Sequence, residues 1–190
     1  MASLPERMIG AAKLDVHIYE EVEADKGAIG QALLVVVLSS IAGGIGAAGG
    51  SGEMAAMVVL AVVYTIVDLI GWFLWAFLTY IIGTKLMPEP QTQSDMGELL
   101  RTTGFSAAPG LLKILGVVPL LGPVVRFAVY LWMLATFVVA VRQALDYQST
   151  GRAIAVCLIG WVVQLIFVFF VAVILIAMVG LGAAMTQGAG

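Results

Sequence analysis

Four side chains able to carry charge or a strong hydrogen bond stand inside otherwise apolar runs: Asp68, Lys113, Arg126 and Gln164. A carboxylate at the middle of a bilayer costs roughly 2.5–3.5 kcal/mol on insertion scales, so Asp68 needs a partner facing it from within a helix bundle. Lys113 lies near the midpoint of its own apolar segment and can meet Asp68 at similar depth. Arg126 is the second candidate, because a long side chain reaches inward from nearer the interface. An Asp68–Lys113 pair reads first as a pin that fixes helix register; a protonated Asp68, or an ion or proton path through the pair, are the alternatives. Gln164 is expected to hydrogen-bond a neighbouring helix, worth about 0.6–2 kcal/mol.

The other reactive side chains do not assemble into a catalytic set. His17 is the only histidine and lies in a polar N-terminal region. One histidine with scattered carboxylates makes no metal site, and no histidine within the bilayer is available to activate Ser106 as a nucleophile. Cys157 is the only cysteine, so neither an internal disulfide nor a thiolate cluster can form. No glycine-rich loop carries a phosphate-cradling lysine. The expectation is a protein without catalytic residues, metal or cofactor.

Composition names the medium these groups occupy. Of 190 residues, 62% are hydrophobic and only 11% charged, where soluble domains run near a quarter charged. Lipid must solvate much of that apolar surface. The net charge of −3 and the absence of a basic tract argue against nucleic acid.

The hydropathy pattern predicts an all-α, polytopic transmembrane bundle of five spans, near residues 28–50, 54–83, 104–121, 124–145 and 153–184. Residues 1–27 form a polar N-terminal segment, and 185–190 a short tail. Within the former, Leu14, Ile18 and Val22 recur every four residues, as on one face of a short amphipathic helix. Its acidic balance and late apolar run do not resemble a cleaved secretory signal. In span one, Ser39–Gly43 and Gly46–Gly50 are small residues four apart, a spacing that lets another helix approach closely. Span two is too long to cross untilted. A polar connection, 84–102, follows; Pro88 and Pro90 stop the preceding helix, and Ser94 is placed to cap a helix at 95–102. Span three carries Pro109, Gly110, Lys113, Gly116 and Pro119. It is kinked or re-entrant, and such backbone survives at membrane depth only inside the bundle.

Lys and Arg gather in cytoplasmic segments. With five spans and the N-terminus inside, Arg7, Lys13, Lys26, Lys85, Arg101, Arg142 and Arg152 fall on the inner side, and only Lys113 and Arg126 flank an outer turn. Four spans give an equal tally, with those two groups partly exchanged. Five spans put the C-terminus outside.

Two stretches then carry a resemblance. Tyr19-Glu20-Glu21-Val22-Glu23-Ala24-Asp25 leads into the small-residue-rich first span, and Gly104-Phe105-Ser106-Ala107-Ala108-Pro109-Gly110 precedes Trp132 and Ala140-Val141-Arg142. In order and spacing these resemble bacterial members of the Yip1 family. The resemblance implies a five-helix membrane domain with a cytoplasmic N-terminus and no enzymatic activity. Eukaryotic relatives act in vesicle traffic with small GTPases; this chain lacks their long cytosolic N-terminal region, so a GTPase partner is not expected to carry over. The leading expectation is a multi-pass protein of the bacterial inner membrane that scaffolds other proteins or organises the bilayer. The alternative is a small ion or solute transporter using Asp68 and Lys113. The small-residue faces suit packing within one chain or between two copies.

Overall fold

The computed structural model describes residues 2–48, 53–118 and 120–166. Among the described residues seven α-helices follow one another: α1 (Leu4–Ala12), α2 (Val16–Ala24), α3 (Ile29–Ala48), α4 (Met54–Ile81), α5 (Met96–Ser106), α6 (Gly122–Ala144) and α7 (Thr150–Ile166). A short 3₁₀ turn (Lys26–Ala28) leads into α3, a π-helical turn (Ile82–Leu86) extends α4, and a 3₁₀ helix (Ala108–Val117) joins α5 to α6. No strand occurs among the described residues.

Among the described residues three stretches are long and apolar enough to cross a membrane: Lys26–Ala48, Met54–Leu86 and Gly122–Ala144. α7 is apolar but shorter over the described residues, and the remainder of the fifth predicted span lies outside them. The middle of α4 turns its apolar side chains outward: Val59, Ile66 and Ile70 are all more than half exposed. In water that surface would be a large unburied patch; in lipid it is solvated.

Segment three departs in detail from its predicted form. Its helix is capped not by Ser94 but by Asp95, whose carboxylate accepts from Glu98 N at 2.8 Å while Glu98 Oε2 accepts from Asp95 N at 2.9 Å. This reciprocal box satisfies two donors at once, which Ser94 does not. The helix runs on to Ser106, so Gly104 and Phe105 belong to α5. Pro109 then opens the 3₁₀ helix, whose tighter rise carries the chain further per residue than an α-helix.

Close approaches along α3 give this segment its direction. A Cβ on Gly104 would sit 2.7 Å from Ala32 Cβ, one on Gly110 would collide with Ser39 Oγ, and one on Gly43 would meet Lys113 Nζ at 3.3 Å. Gly116 in turn faces the carbonyl of Gly46 at 3.0 Å by the same measure. Partner numbers rise together, so α5 and the 3₁₀ helix run parallel to α3 over about 21 Å of its axis. Gly44 seats against the α4 backbone at Ala61. The small-residue face of α3 is therefore filled within the chain; Gly50 lies outside the described residues.

α1 and α2 form a hairpin folded onto α5 and α6. Leu14, expected on the helix face, lies instead in the turn, at φ 64°. The Asp15 side chain caps α2 by accepting from His17 N. Starting the helix at Val16 rotates its inner face, so that Tyr19 and Val22, both fully buried, point into the bundle.

Candidate functional site

The polar centre of the bundle lies where α3, α4 and the 3₁₀ helix meet. Lys113 Nζ stands 3.8 Å from Asp68 Oδ2, and Ser40 Oγ lies 2.8 Å from the same oxygen and from Val36 O. Lys113 is 3% exposed, and the Gly43 and Gly110 backbones give its stem room. At 3.8 Å the two charges attract, but the separation exceeds a direct hydrogen bond. Arg126 does not join them: its Nη1 reaches the carbonyl of Gly46 at 3.5 Å, answering a backbone group near the glycine contact. Ser39, also buried, has a hydroxyl with no hydrogen-bond partner.

Asp68, Lys113 and Gln164 border one cavity of about 1150 Å³ between α3, α4, α6 and α7. Much of its lining is apolar or aromatic, including Trp72, Trp75, Tyr130 and Leu134. Trp72 Nε1 donates to Thr103 Oγ1 at 3.1 Å, and Trp75 meets Phe137 edge-to-face with ring centroids 5.5 Å apart. Cys157 is buried at the α4–α6–α7 contact.

The family-like residues do different work from this centre: they fasten the N-terminal hairpin and the polar end. Tyr19 Oη lies within reach of the carbonyls of Ala11 (3.1 Å) and Thr136 (3.3 Å), bridging hairpin and α6. Burial pushes its pKa above the ordinary tyrosine value. Gln143 Nε2 donates to Glu20 at 3.4 Å, and Trp132 Nε1 to the carbonyl of Ala12 at 2.7 Å. Phe105 is fully buried in the core shared by α2, α3 and α5. Ser106 is engaged at both ends: its hydroxyl donates to Thr103 O at 2.6 Å and its carbonyl accepts from Thr136 Oγ1 at 2.7 Å. Arg142 donates to the carbonyls of Tyr147 and Gln148, closing the turn after α6. Tyr147 Oη in turn reaches the carbonyls of Gly83 and Met87, tying that turn to the end of α4.

Two arginines hold the hairpin, and neither stands out in the sequence. Arg7, 1% exposed, donates to Glu21, Asp25 and Gln31 at 2.8–3.1 Å. The bond from Arg7 is the leading reason the Glu21 and Asp25 carboxyls sit below their ordinary pKa values. Arg101, buried in α5, donates to the carbonyls of Val22 and Glu23 at the C-terminal end of α2, where a cation suits the helix dipole. Arg7 lies too far from Glu21 in the chain for any local pattern to pair them; only the hairpin turn does so. Arg7→Met is expected to lower the melting midpoint in detergent by about 5 °C. The Arg7-dependent stability is present above the ordinary carboxylate range and is lost as pH falls below about 4.

Glu23 behaves oppositely. Burial, then the nearby charges of Asp146 and Glu98, push its pKa up to about 7. The folded state favours the protonated acid, so its contribution is full below pH 4 and is lost as pH rises toward 7. Glu23→Gln should therefore raise thermal stability at pH 8, with the advantage fading by pH 5, as melting curves at the two values would reveal.

No curated protein and no solved structure matches the chain. A family model for the Yip1 domain does, across residues 16–172. It takes in the hairpin's second helix, the paired α3 and segment three, α6 and α7, and with them Tyr19, Arg101, Trp132, Arg142 and Tyr147 of the fastening residues just described. The chain belongs to the Yip1 domain family of membrane proteins.

Proposed function

We propose that this protein is a non-enzymatic, five-span scaffold of the bacterial inner membrane, with a cytoplasmic N-terminus and its partner-binding surface at the polar end of the bundle. The observation that carries this reading is the docking of the N-terminal hairpin: it is fastened along α5 and α6 rather than left as a tether. Hairpin, 84–95 connection and 145–149 turn then make one continuous surface. Gln91 Nε2 donates to the Asp146 carbonyl at 3.0 Å, and Arg152 pairs with Glu89 at 3.3 Å. A groove of about 880 Å³ crosses this surface, bordered by Glu20, Glu23, Gln91, Glu98, Gln143 and Asp146.

Five spans are supported by the parallel run of segment three beside α3. From Gly104 to Val117 the segment rises about 25 Å, most of the roughly 30 Å of hydrocarbon. The two neighbours would then cross in the same sense, with α4 returning between them. Arg7, Arg101, Arg142 and Arg152 all bond within the hairpin-bearing end, which suits a cytoplasmic face. A non-enzymatic role is supported by the engagement of the one serine with a nucleophile-like setting, Ser106, in backbone bonds, and by His17 lying 91% exposed beside Glu20.

Photocrosslinking in native membranes tests the reading. A crosslinking residue at Gln91 or Gln143 should yield discrete protein adducts, and Glu20→Lys with Asp146→Lys should remove them. Adducts that arise equally from lipid-facing Ile66, or none from the groove, would defeat it.

A further inference from the structure

We infer that the intramembrane cavity is a binding site for a single amphiphile whose head group is neutral and bears oxygen, such as the glycerol hydroxyl and esters of a diacylglycerol. This goes beyond the scaffold reading and stands or falls separately from it.

The cavity has a built polar floor. Ser39 lines the cavity, is 2% exposed, and carries a buried hydroxyl with no hydrogen-bond partner. Lys113, 3% exposed, offers an ammonium whose charged neighbour is 3.8 Å away, beyond direct hydrogen-bond length. Both side chains pack against Gly110, which has no side chain of its own to fill the space: a Cβ built there would collide with Ser39 Oγ and lie 3.1 Å from Lys113 Cε. Two donors therefore meet beside bare backbone, in a region where an unanswered polar group is costly. An oxygen acceptor entering from the cavity beside Ser39 and Lys113 would answer both.

Charge selects the kind of acceptor. Asp68 and Lys113 cancel, so an anionic or cationic head would bring an uncompensated charge into a low-dielectric site. A hydroxyl or ester oxygen would not. The tail has a matching place: above the floor the walls are apolar, and lining residues Val67, Phe127, Leu131 and Leu158 are each more than half exposed, leaving the cavity open sideways to lipid. Its volume of about 1150 Å³ exceeds the 300–1,000 Å³ typical of small-molecule pockets, as a chain-bearing ligand requires.

Three of the four tryptophans, Trp72, Trp75 and Trp161, line the cavity and supply the readout. The protein in phosphatidylcholine nanodiscs is titrated with brominated diacylglycerol, brominated phosphatidic acid or brominated phosphatidylcholine, and tryptophan quenching is followed. Saturable quenching by the diacylglycerol at low mole fraction is expected, with the other two quenching only in proportion to their abundance. Gly71 borders the cavity, and a Cβ there meets nothing within 4 Å, so Gly71→Leu fills the space without disturbing the backbone. It should raise the half-saturating fraction roughly tenfold while the melting midpoint holds or rises. The double variant Asp68→Asn/Lys113→Met, which removes the donor without stranding a charge, should do the same. Quenching that is linear for all three lipids, or unchanged by Gly71→Leu, would overturn the site. Saturation by phosphatidic acid instead of diacylglycerol would overturn its assigned head group.

Discussion

Lys113→Met is expected to destabilise the folded protein by about 3 kcal/mol in detergent or bicelles. The lysine is buried, and the carboxylate it faces lies mid-way along a lipid-facing helix. Removing the ammonium strands Asp68, which must then hold an uncompensated charge or take up a proton; either outcome disfavours the native state. Ser40 gives Asp68 one hydrogen bond, which softens the loss without replacing the charge. Asp68→Asn/Lys113→Met should recover most of the loss, because replacing both members of a buried pair is often near neutral. A double-mutant cycle measured by SDS or thermal unfolding resolves this. If the double variant is as unstable as the two single changes added together, the two side chains do not stabilise one another.

Gly46→Leu should be at least as damaging, upward of about 3 kcal/mol, with loss of the native arrangement of segment three. A Cβ at this position runs into the backbone carbonyl of Lys113, and Gly116 and Gly122 stack beyond it, so rigid main chain rather than an adjustable side chain occupies the space. Gly122 alone would place a Cβ 2.6 Å from Gly116 O. Gly30 supplies the control on the same helix: nothing lies within 4 Å of a Cβ there, and Gly30→Leu should leave unfolding nearly unchanged. Comparable losses at both positions would mean that close packing of α3 on the 3₁₀ helix does not hold the bundle.

How much of this was legible in the sequence depends on the range of the interaction. The cost of a charge in lipid depends on depth alone, so the argument from Asp68 and Lys113 leads to two groups that the structure sets 3.8 Å apart. The small-residue spacing at Ser39, Gly43 and Gly46 marks a surface for close approach for the same local reason. What approaches it was not legible, because the 3₁₀ course of Ala108–Val117 rests on long-range seating against α3, at Gly110 on Ser39 and at Gly116 on Gly46. Arg126 illustrates the limit: reach alone suggested Asp68, whereas the geometry offers it the Gly46 carbonyl. The bonds of Arg7 and Tyr19 were hidden for another reason. Their partners come together only when the left-handed turn at Leu14 folds α1 back on α2, and a period-four reading takes Leu14 for part of the helix. The family-like residues were visible as a pattern, but their work as fasteners appears only in the bonds they make.

Side-specific labelling of two engineered cysteines tests the central claim, that segment three crosses the membrane beside α3. With Cys157→Ala as background, Gln91→Cys lies before segment three and Leu120→Cys after it; Leu120 is 94% exposed in the turn that leads to α6. An impermeant maleimide applied to right-side-out and inverted vesicles should reach the two positions from opposite sides, Leu120→Cys from outside. Labelling of both from the same side would contradict the account.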